Sequence, residues 1–166
     1  MRWTAGTELM EEVEIMKHTP ELVELTNMCV IEDANGNVVA LDKVSGDYNG
    51  ITFPGGHIEK YEVFSHSMIR EIKEETGLTI HDPKLKGVYH WYRNDIHNIL
   101  FVYHTTDFEG ELISSEEGKV YWIPLEELKH KKLATGSEHV ITMIENNEAT
   151  ECVMVEENGK YTGKIY

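Results

Sequence analysis

The hydrophobic and polar positions of this chain alternate in short stretches separated by turn residues, a pattern typical of a mixed strand and helix fold. Residues 22–32 alternate loosely and then become apolar, which predicts a strand. Asn35-Gly36 follows as a hairpin-turn signal, and residues 38–44 predict the returning strand. Residues 45–50 are rich in glycine and polar side chains, and they predict a loop.

One segment changes to a helical period. Between residues 65 and 76, apolar side chains recur at Met68, Ile69 and Ile72, so this segment is predicted to be an amphipathic helix. Ser65 is the expected N-cap, and Gly77 supplies the stop at the C-terminal end.

The rest of the chain predicts further strands, two more helices and a terminal hairpin. The strand at 97–105 is almost wholly apolar and is expected to lie inside a sheet. The predicted elements are strands at 86–92, 97–105 and 120–123, a helix opened by Pro124 and ending near His130, a helix at 137–146, and a hairpin of 151–155 with 161–165.

A chain of 166 residues fits one domain of ordinary size, and no repeat or linker divides it. The pattern predicts a polar N-terminal extension at 1–20, a main domain at 21–148 and a C-terminal hairpin extension at 149–166.

The charge of the chain narrows its expected partners. Its 30 acidic residues against 15 basic ones give a net charge of −15. This charge disfavours binding to a nucleic-acid polymer or to an anionic membrane surface. It still allows a small phosphate compound whose charge is bridged by metal ions.

Other features indicate a cytoplasmic location. The sequence shows no signal-peptide pattern and no apolar run of membrane-spanning length. Cys29 and Cys152 are far apart in sequence, which fits a reducing compartment and no disulfide framework.

The strongest candidate chemistry lies in the predicted helix. Glu71, Glu74 and Glu75 stand at i, i+3 and i+4, so they share one helix face. Carboxylates crowded in this way favour a cation, and hard oxygen ligands suit Mg²⁺ or Mn²⁺. Arg70 can pair with a neighbouring carboxylate and hold it in place. Taken alone, however, such an acidic run is more often a solvated helix face.

The residues before and after this run carry a resemblance to a known family. The segment resembles the Nudix box, G-x5-E-x7-R-E-U-x-E-E-x-G-U, in which U is a bulky aliphatic residue. The similarity extends over about residues 22–146. It implies an α/β/α sandwich with a curved mixed sheet and a loop–helix–loop catalytic box. All nine defined positions match, namely Gly56, Glu62, Arg70, Glu71, Ile72, Glu74, Glu75, Gly77 and Leu78.

The resemblance implies a metal site that binds Mg²⁺ or Mn²⁺. Its ligands are expected to be the last three acidic residues of the box, the carbonyl of the glycine before it, and a carboxylate from a later loop. For that loop we prefer Glu117 to Glu116, and an exposed acidic turn is the alternative reading of this pair. The expected ligands are Gly55, Glu71, Glu74, Glu75 and Glu117.

The remaining box residues are expected to support catalysis. Arg70 orients the glutamates, while Glu62 and Gly77 are structural. In the reaction that the resemblance implies, Glu74 or Glu75 accepts a proton from the attacking water.

The implied activity is cleavage of a diphosphate linkage in a small nucleotide. Residues 52–57 resemble the MutT-like branch, which converts 8-oxo-dGTP or a related nucleoside triphosphate to the monophosphate and pyrophosphate. The alternatives are a pyrophosphatase for ADP-ribose, dinucleotide polyphosphates or sugar nucleotides, and a catalytically silent ligand sensor. An RNA 5′-end pyrophosphohydrolase is disfavoured by the acidic charge.

Candidate substrate contacts are Asn27, Gly55 and Gly56, although Asn27 also fits a strand residue that faces solvent. Gly136 stands where related sequences place an aspartate, so the preferred base is open. The aromatic run at 89–92 is expected either to stack on a base or to fill the core. The terminal hairpin is expected to add a sheet edge or to make a homodimer contact.

Overall fold

The computed structural model describes residues 19–43 and 49–166, so the predictions for 1–18 and for 44–48 lie outside the described residues. In the described ranges the chain forms ten strands and three helices. In chain order these are β1 (Leu22–Ile31), β2 (Asn37–Lys43), β3 (Gly50–Thr52), α1 (Phe64–Thr76), β4 (Thr79–Ile80), β5 (Lys84–Arg93), β6 (Ile96–Thr105), β7 (Phe108–Glu109), β8 (Gly118–Pro124), α2 (Leu125–Leu128), α3 (Ser137–Glu145), β9 (Glu151–Glu157) and β10 (Lys160–Ile165).

A five-stranded mixed sheet is the centre of the fold, with the order β1-β6-β5-β9-β10. The β1/β6 and β5/β9 pairs are parallel, while the β6/β5 and β9/β10 pairs are antiparallel. The apolar strand β6 lies between β1 and β5, which confirms the interior position predicted for it. The predicted mixed α/β fold is confirmed as well.

The returning strand β2 joins a second sheet instead of pairing along β1. It forms a three-stranded antiparallel sheet in the order β3-β2-β8. Only one bridge, Glu32 with Val38, joins β1 to the strand that follows it. The main partner of β2 is therefore β8, which lies far along the chain at Gly118–Pro124.

The turn between these strands is where the sequence placed it. The Asp33 carboxylate accepts hydrogen bonds from the backbone N–H groups of Asn35 and Asn37 at 2.8 and 2.9 Å. Gly36 has a φ of 77°, a left-handed conformation that glycine adopts at little cost. The side chain of Asn37 also bonds Asp33 and lowers the pKa of that carboxyl below its ordinary value.

The box helix α1 begins one residue earlier than predicted. Val63 occupies the N-cap and gives no side-chain cap, so the prediction of Ser65 as the cap is wrong. The C-terminal end is as predicted: Gly77 has a φ of 77° and its N–H bonds the carbonyl of Lys73 at 3.1 Å.

Two apolar clusters hold helices on opposite faces of the sheets. One joins α1, through Met68 and Ile72, to Cys29 and Ile31 of β1. The other packs α2 and α3 against Met28 and its neighbours on the opposite face of β1. These three layers agree with the predicted sandwich.

The C-terminal third differs in one detail from the prediction. Pro124 ends β8 and is the N-cap residue of α2. This helix has only four residues and ends at Leu128, whereas its predicted end is near His130. The predicted terminal hairpin is present as β9 and β10, and β9 pairs with β5 at the edge of the five-stranded sheet. Of the helices in the described ranges, none is long and apolar enough to cross a membrane.

We expect Ile72→Ala to lower the free energy of unfolding by about 2–5 kcal/mol, because Ile72 is fully buried between α1 and β1. Urea denaturation followed by circular dichroism measures this change. His66→Ala, at an exposed position of the same helix, is the control and should stay within about 0.5 kcal/mol of the parent. Equal losses in both variants would contradict the assigned core.

Candidate active site

The loop that leads into the box crosses β1 at close range. The N–H of Asn27 bonds the carbonyl of Gly56 at 2.8 Å, and the N–H of Cys29 bonds the carbonyl of Pro54 at 3.0 Å. A Cβ atom on Gly55 would lie 2.1 Å from the carbonyl oxygen of Asn27. Only glycine fits here, so the crossing requires a residue with no side chain at position 55.

The side chain of Asn27 holds this loop in place by hydrogen bonds. Its amide donates to the hydroxyl of Ser67 at 2.9 Å and accepts from the N–H of Gly56 at 3.3 Å. Asn27 is only 2% exposed, because the loop and α1 cover its side chain on β1. Asn27 therefore has a positioning role in the structure, and its expected contact with a base stays a prediction.

Arg70 gathers the carboxylates on its side of α1. Its guanidinium donates twice to Glu62, at 2.8 and 2.9 Å, and also donates to Glu71 at 2.7 Å and Glu74 at 3.2 Å. The Arg70 guanidinium lowers the pKa of Glu62 to about 2, and the pKa of Arg70 is raised in turn. These bonds place Glu62, Glu71 and Glu74 around one guanidinium, and the roles expected of Arg70 and Glu62 stay predictions.

Glu75 lies apart from that network and inside the protein. Its Oε2 accepts the N–H of Gly55 at 2.8 Å. Burial raises the pKa of Glu75 to about 7, against the opposing effects of the Gly55 N–H and the Lys43 charge, and the charges of Glu71 and Glu117 raise it further. A buried carboxylate in such surroundings is stabilised by a nearby cation.

The later acidic loop reaches the same region. Lys43 at the end of β2 lies with its Nζ 3.2 Å from Oε2 of Glu117, and both charges act on Glu75. The structure thus brings Glu117 beside the box, as predicted from the sequence. Lys43 was not predicted to belong to the site, since a lone lysine at a strand end carries no motif.

The candidate side-chain ligands are all carboxylates, which suit a hard divalent cation, and the charges of Glu71 and Glu117 act on the buried Glu75. The arrangement is not a closed cage. In residues 19–43 and 49–166, no three acidic, histidine or cysteine side chains lie close enough together to hold one ion. Glu71 and Glu74 are instead engaged in ion pairs with Arg70.

A cavity of about 780 Å³ opens beside the box. Gly55 and Gly56 line it next to the carboxylates of Glu75 and Glu71, which are not themselves among the lining residues, and Lys43 lines it as well; we call this group the charged end. Tyr89 and Trp91 also line the cavity, with their ring centroids 5.1 Å apart. A cavity of this size, lined by both charged and aromatic residues, suits a small organic phosphate.

The aromatic run on β5 divides between the two faces of the sheet. Tyr89 and Trp91 face the cavity, while the side chains of His90 and Tyr92 lie on the other face, in contact with His97. The expectation that the run fills the core is met by Tyr89, which belongs to an apolar core cluster, while stacking on a base stays a prediction.

The backbone conformation and the surroundings of Gly136 leave no room for an aspartate at that position. Its φ is 92°, and a Cβ atom there would lie 2.8 Å from the ring of Tyr89. A side chain at 136 would therefore displace Tyr89 from the cavity wall. Arg93 and Asn98 also line the cavity and were not singled out from the sequence.

Comparison with known proteins gives the family. Residues 22–144 match the model of the NUDIX domain, and this chain belongs to that family. It is 35% identical over 94 residues to YvcI of Bacillus subtilis, an uncharacterised Nudix hydrolase, covering 53% of this chain and 60% of YvcI. It is 32% identical over 90 residues to an 8-oxo-dGTP diphosphatase of Buchnera aphidicola, covering 54% of this chain and 67% of that protein. The chain thus spans less than two thirds of the length of YvcI.

Solved structures show the same fold. A MutT protein from Bacillus halodurans superposes with a TM-score of 0.71 at 23% identity, over 86% of this chain and 97% of that one. The ORF135 protein of E. coli superposes with a TM-score of 0.67 at 21% identity, over 75% of this chain and 90% of that one.

We expect Glu62→Gln to lower the melting temperature at pH 7, because the lowered pKa of Glu62 means that its charged form stabilises the folded state. This contribution is complete above pH about 4.5 and is lost as the pH falls towards 2, so the difference between variant and parent should vanish over that range. Melting curves at several pH values measure it.

The control for this pH series is Glu59→Gln, a change of the same kind in the same loop at a side chain that does not bond Arg70. A difference between Glu62→Gln and the parent that stays constant from pH 7 to pH 2 would contradict the assigned ion pair.

Proposed function

We propose that this chain is a metal-dependent hydrolase that cleaves a diphosphate linkage in a nucleoside triphosphate, 8-oxo-dGTP or a related nucleotide, to the monophosphate and pyrophosphate. One observation carries the proposal. The buried carboxylate of Glu75 is bonded to Gly55, and Gly55 lines a 780 Å³ cavity that has aromatic side chains further along its wall. Charge for phosphates and an apolar surface for a base thus meet in one cavity.

At the charged end, we propose that the box carboxylates and Glu117 hold Mg²⁺ or Mn²⁺, together with the carbonyl of Gly55. A divalent ion, when bound, neutralises phosphate oxygens and makes a coordinated water more acidic. Arg70 must then release Glu71 or Glu74 in part, while its two hydrogen bonds to Glu62 keep the guanidinium in place.

The protein's own residues supply the remaining steps. Lys43 lines the cavity and places a positive charge beside the phosphates. Glu74 or Glu75 accepts a proton from the water that attacks phosphorus. Asn27 and Ser67 keep Gly56 fixed on β1, so the position of the loop against the carboxylates does not depend on the substrate.

Two observations support a nucleoside triphosphate as the substrate. The Buchnera relative is named an 8-oxo-dGTP diphosphatase. The cavity wall of Tyr89 and Trp91 offers aromatic faces on which a base can stack.

All glutamates of the box are present, which supports a catalytic role over that of a silent sensor. The cytoplasmic location and the homodimer contact stay predictions.

We expect purified protein with Mg²⁺ to convert 8-oxo-dGTP to the monophosphate and pyrophosphate faster than it turns over the four dNTPs, ADP-ribose, diadenosine polyphosphates or UDP-glucose. Glu75→Gln and Glu74→Gln should each lower kcat by about 100-fold or more if the glutamate takes the proton or holds the metal. Chromatography of the products measures both.

Full turnover by Glu74→Gln would remove Glu74 from the mechanism. Turnover of another compound on the panel would keep the chemistry and change the substrate. Absence of turnover with every compound would contradict the proposed hydrolase activity.

We expect Glu117→Gln to raise the Mg²⁺ concentration for half-maximal rate by about tenfold or more, since it removes a charge that acts directly on Glu75. Glu116→Gln is the matched control, because it makes the same change at the adjacent residue. Magnesium titrations of the two variants compare them, and equal shifts in both would assign the effect to the net charge of the loop.

A further inference from the structure

The C-terminal hairpin extends the sheet beyond the part of the chain that matches the family. The family match ends at residue 144, and β9 begins at Glu151. β9 then pairs in parallel with β5 through three residue pairs, Val88 with Glu151, Tyr89 with Cys152, and His90 with Val153. The hairpin is therefore attached to the strand that carries the aromatic wall of the cavity.

Side chains from both hairpin strands reach that cavity. Met154 of β9 and Tyr161 of β10 line it together with Tyr89 and Trp91. Met154 is partly buried against the apolar cluster that contains Tyr89, whereas Tyr161 is 65% exposed at the surface. A large aromatic ring left open at the edge of a cavity is a surface that a planar ligand can cover.

The hairpin is held in this position by close packing. A Cβ atom on Gly163 would lie 2.4 Å from the ring of His139 on α3, so β10 lies directly on that helix. The ring of His139 in turn lies 5.6 Å from that of Tyr89. On the opposite face of the sheet, Oε1 of Glu151 lies 3.0 Å from Nε2 of His90. The hairpin is thus fastened to β5 and α3, the elements that form the rest of the wall.

We propose that Met154 and Tyr161, which we call the hairpin wall, are substrate-binding residues that contact the base of the nucleotide substrate. This inference rests on the proposed function. Gly55 and Gly56, next to the box carboxylates, are the lining residues proposed to face the phosphates, whereas Met154 packs against the core cluster that contains Tyr89. The hairpin wall therefore acts on base binding and leaves phosphate chemistry unchanged.

The test compares Tyr161→Ala and Met154→Ala with Tyr166→Ala in the full chain. Tyr166 follows β10, has the same side chain at 64% exposure, and is not among the residues that line the cavity. We expect Tyr161→Ala to raise the KM for the nucleotide substrate by about tenfold, as for loss of a base-stacking aromatic ring, with kcat unchanged. Tyr161→Phe should restore KM, and Tyr166→Ala should behave as the parent.

Inhibition by inorganic pyrophosphate gives a readout that a general structural defect would move. Pyrophosphate has no base, so its inhibition constant and the Mg²⁺ requirement should be the same in Tyr161→Ala, Met154→Ala and the parent. An unchanged KM in both hairpin variants would overturn the inference, as would equal losses of nucleotide and pyrophosphate binding.

Failure of the proposed function is distinguishable from failure of this inference. If no nucleotide is turned over, calorimetric titration with dGMP replaces the kinetic assay. Binding of dGMP that Tyr161→Ala weakens would still support the hairpin wall. Equal binding by parent and variants, or no binding by the parent, would overturn it.

Discussion

The close crossing of Gly55 over the backbone of Asn27 is the contact on which the rest of the site depends. The loop can approach β1 so closely only because Gly55 has no Cβ atom, and the backbone bonds on either side of the crossing keep it there. With the loop in this position, the N–H of Gly55 points to Glu75 and Gly56 lies against Glu71. A substitution at Gly55 would therefore move the carboxylates and the cavity floor together.

The charges around this crossing are unequally balanced. Arg70 bonds three glutamates at once, but Glu75 has a backbone N–H as its hydrogen-bond donor and lies in the field of Glu71 and Glu117. Burying the charged form of Glu75 without a full counter-charge costs free energy, and the raised pKa of Glu75 is the result of this cost. A divalent cation beside Glu75 would remove this cost. The imbalance of charge that destabilises the metal-free site therefore favours metal binding.

The two ends of the cavity come from parts of the chain that are far apart in sequence. The charged end is built by the β1 crossing, the box and the loop before β8. The aromatic end is built by β5 and by a hairpin that lies outside the family match. Under the proposed function, the first part holds the phosphates and the metal, and the second part contacts the base.

The sequence by itself determined most of the helices and longer strands, the family and the candidate site residues. Turn residues such as Asn35-Gly36, the helical period of Met68 and Ile72, and the spacing of the box glutamates are local, and local steric and hydrogen-bonding preferences decide them. The box motif also indicated the family and the candidate ligands. The N-cap of α1 was missed because Val63 has no capping side chain for a pattern to reveal.

Tertiary structure decided everything that depends on pairing between distant segments. It paired β2 with β8 instead of β1, put Lys43 beside Glu117, enclosed Asn27 and brought Tyr161 to the cavity. Each of these contacts joins residues whose separation in sequence carries no periodic signal. They follow from the burial of two apolar clusters and from which strand edges remain free to pair, and these are properties of the whole fold.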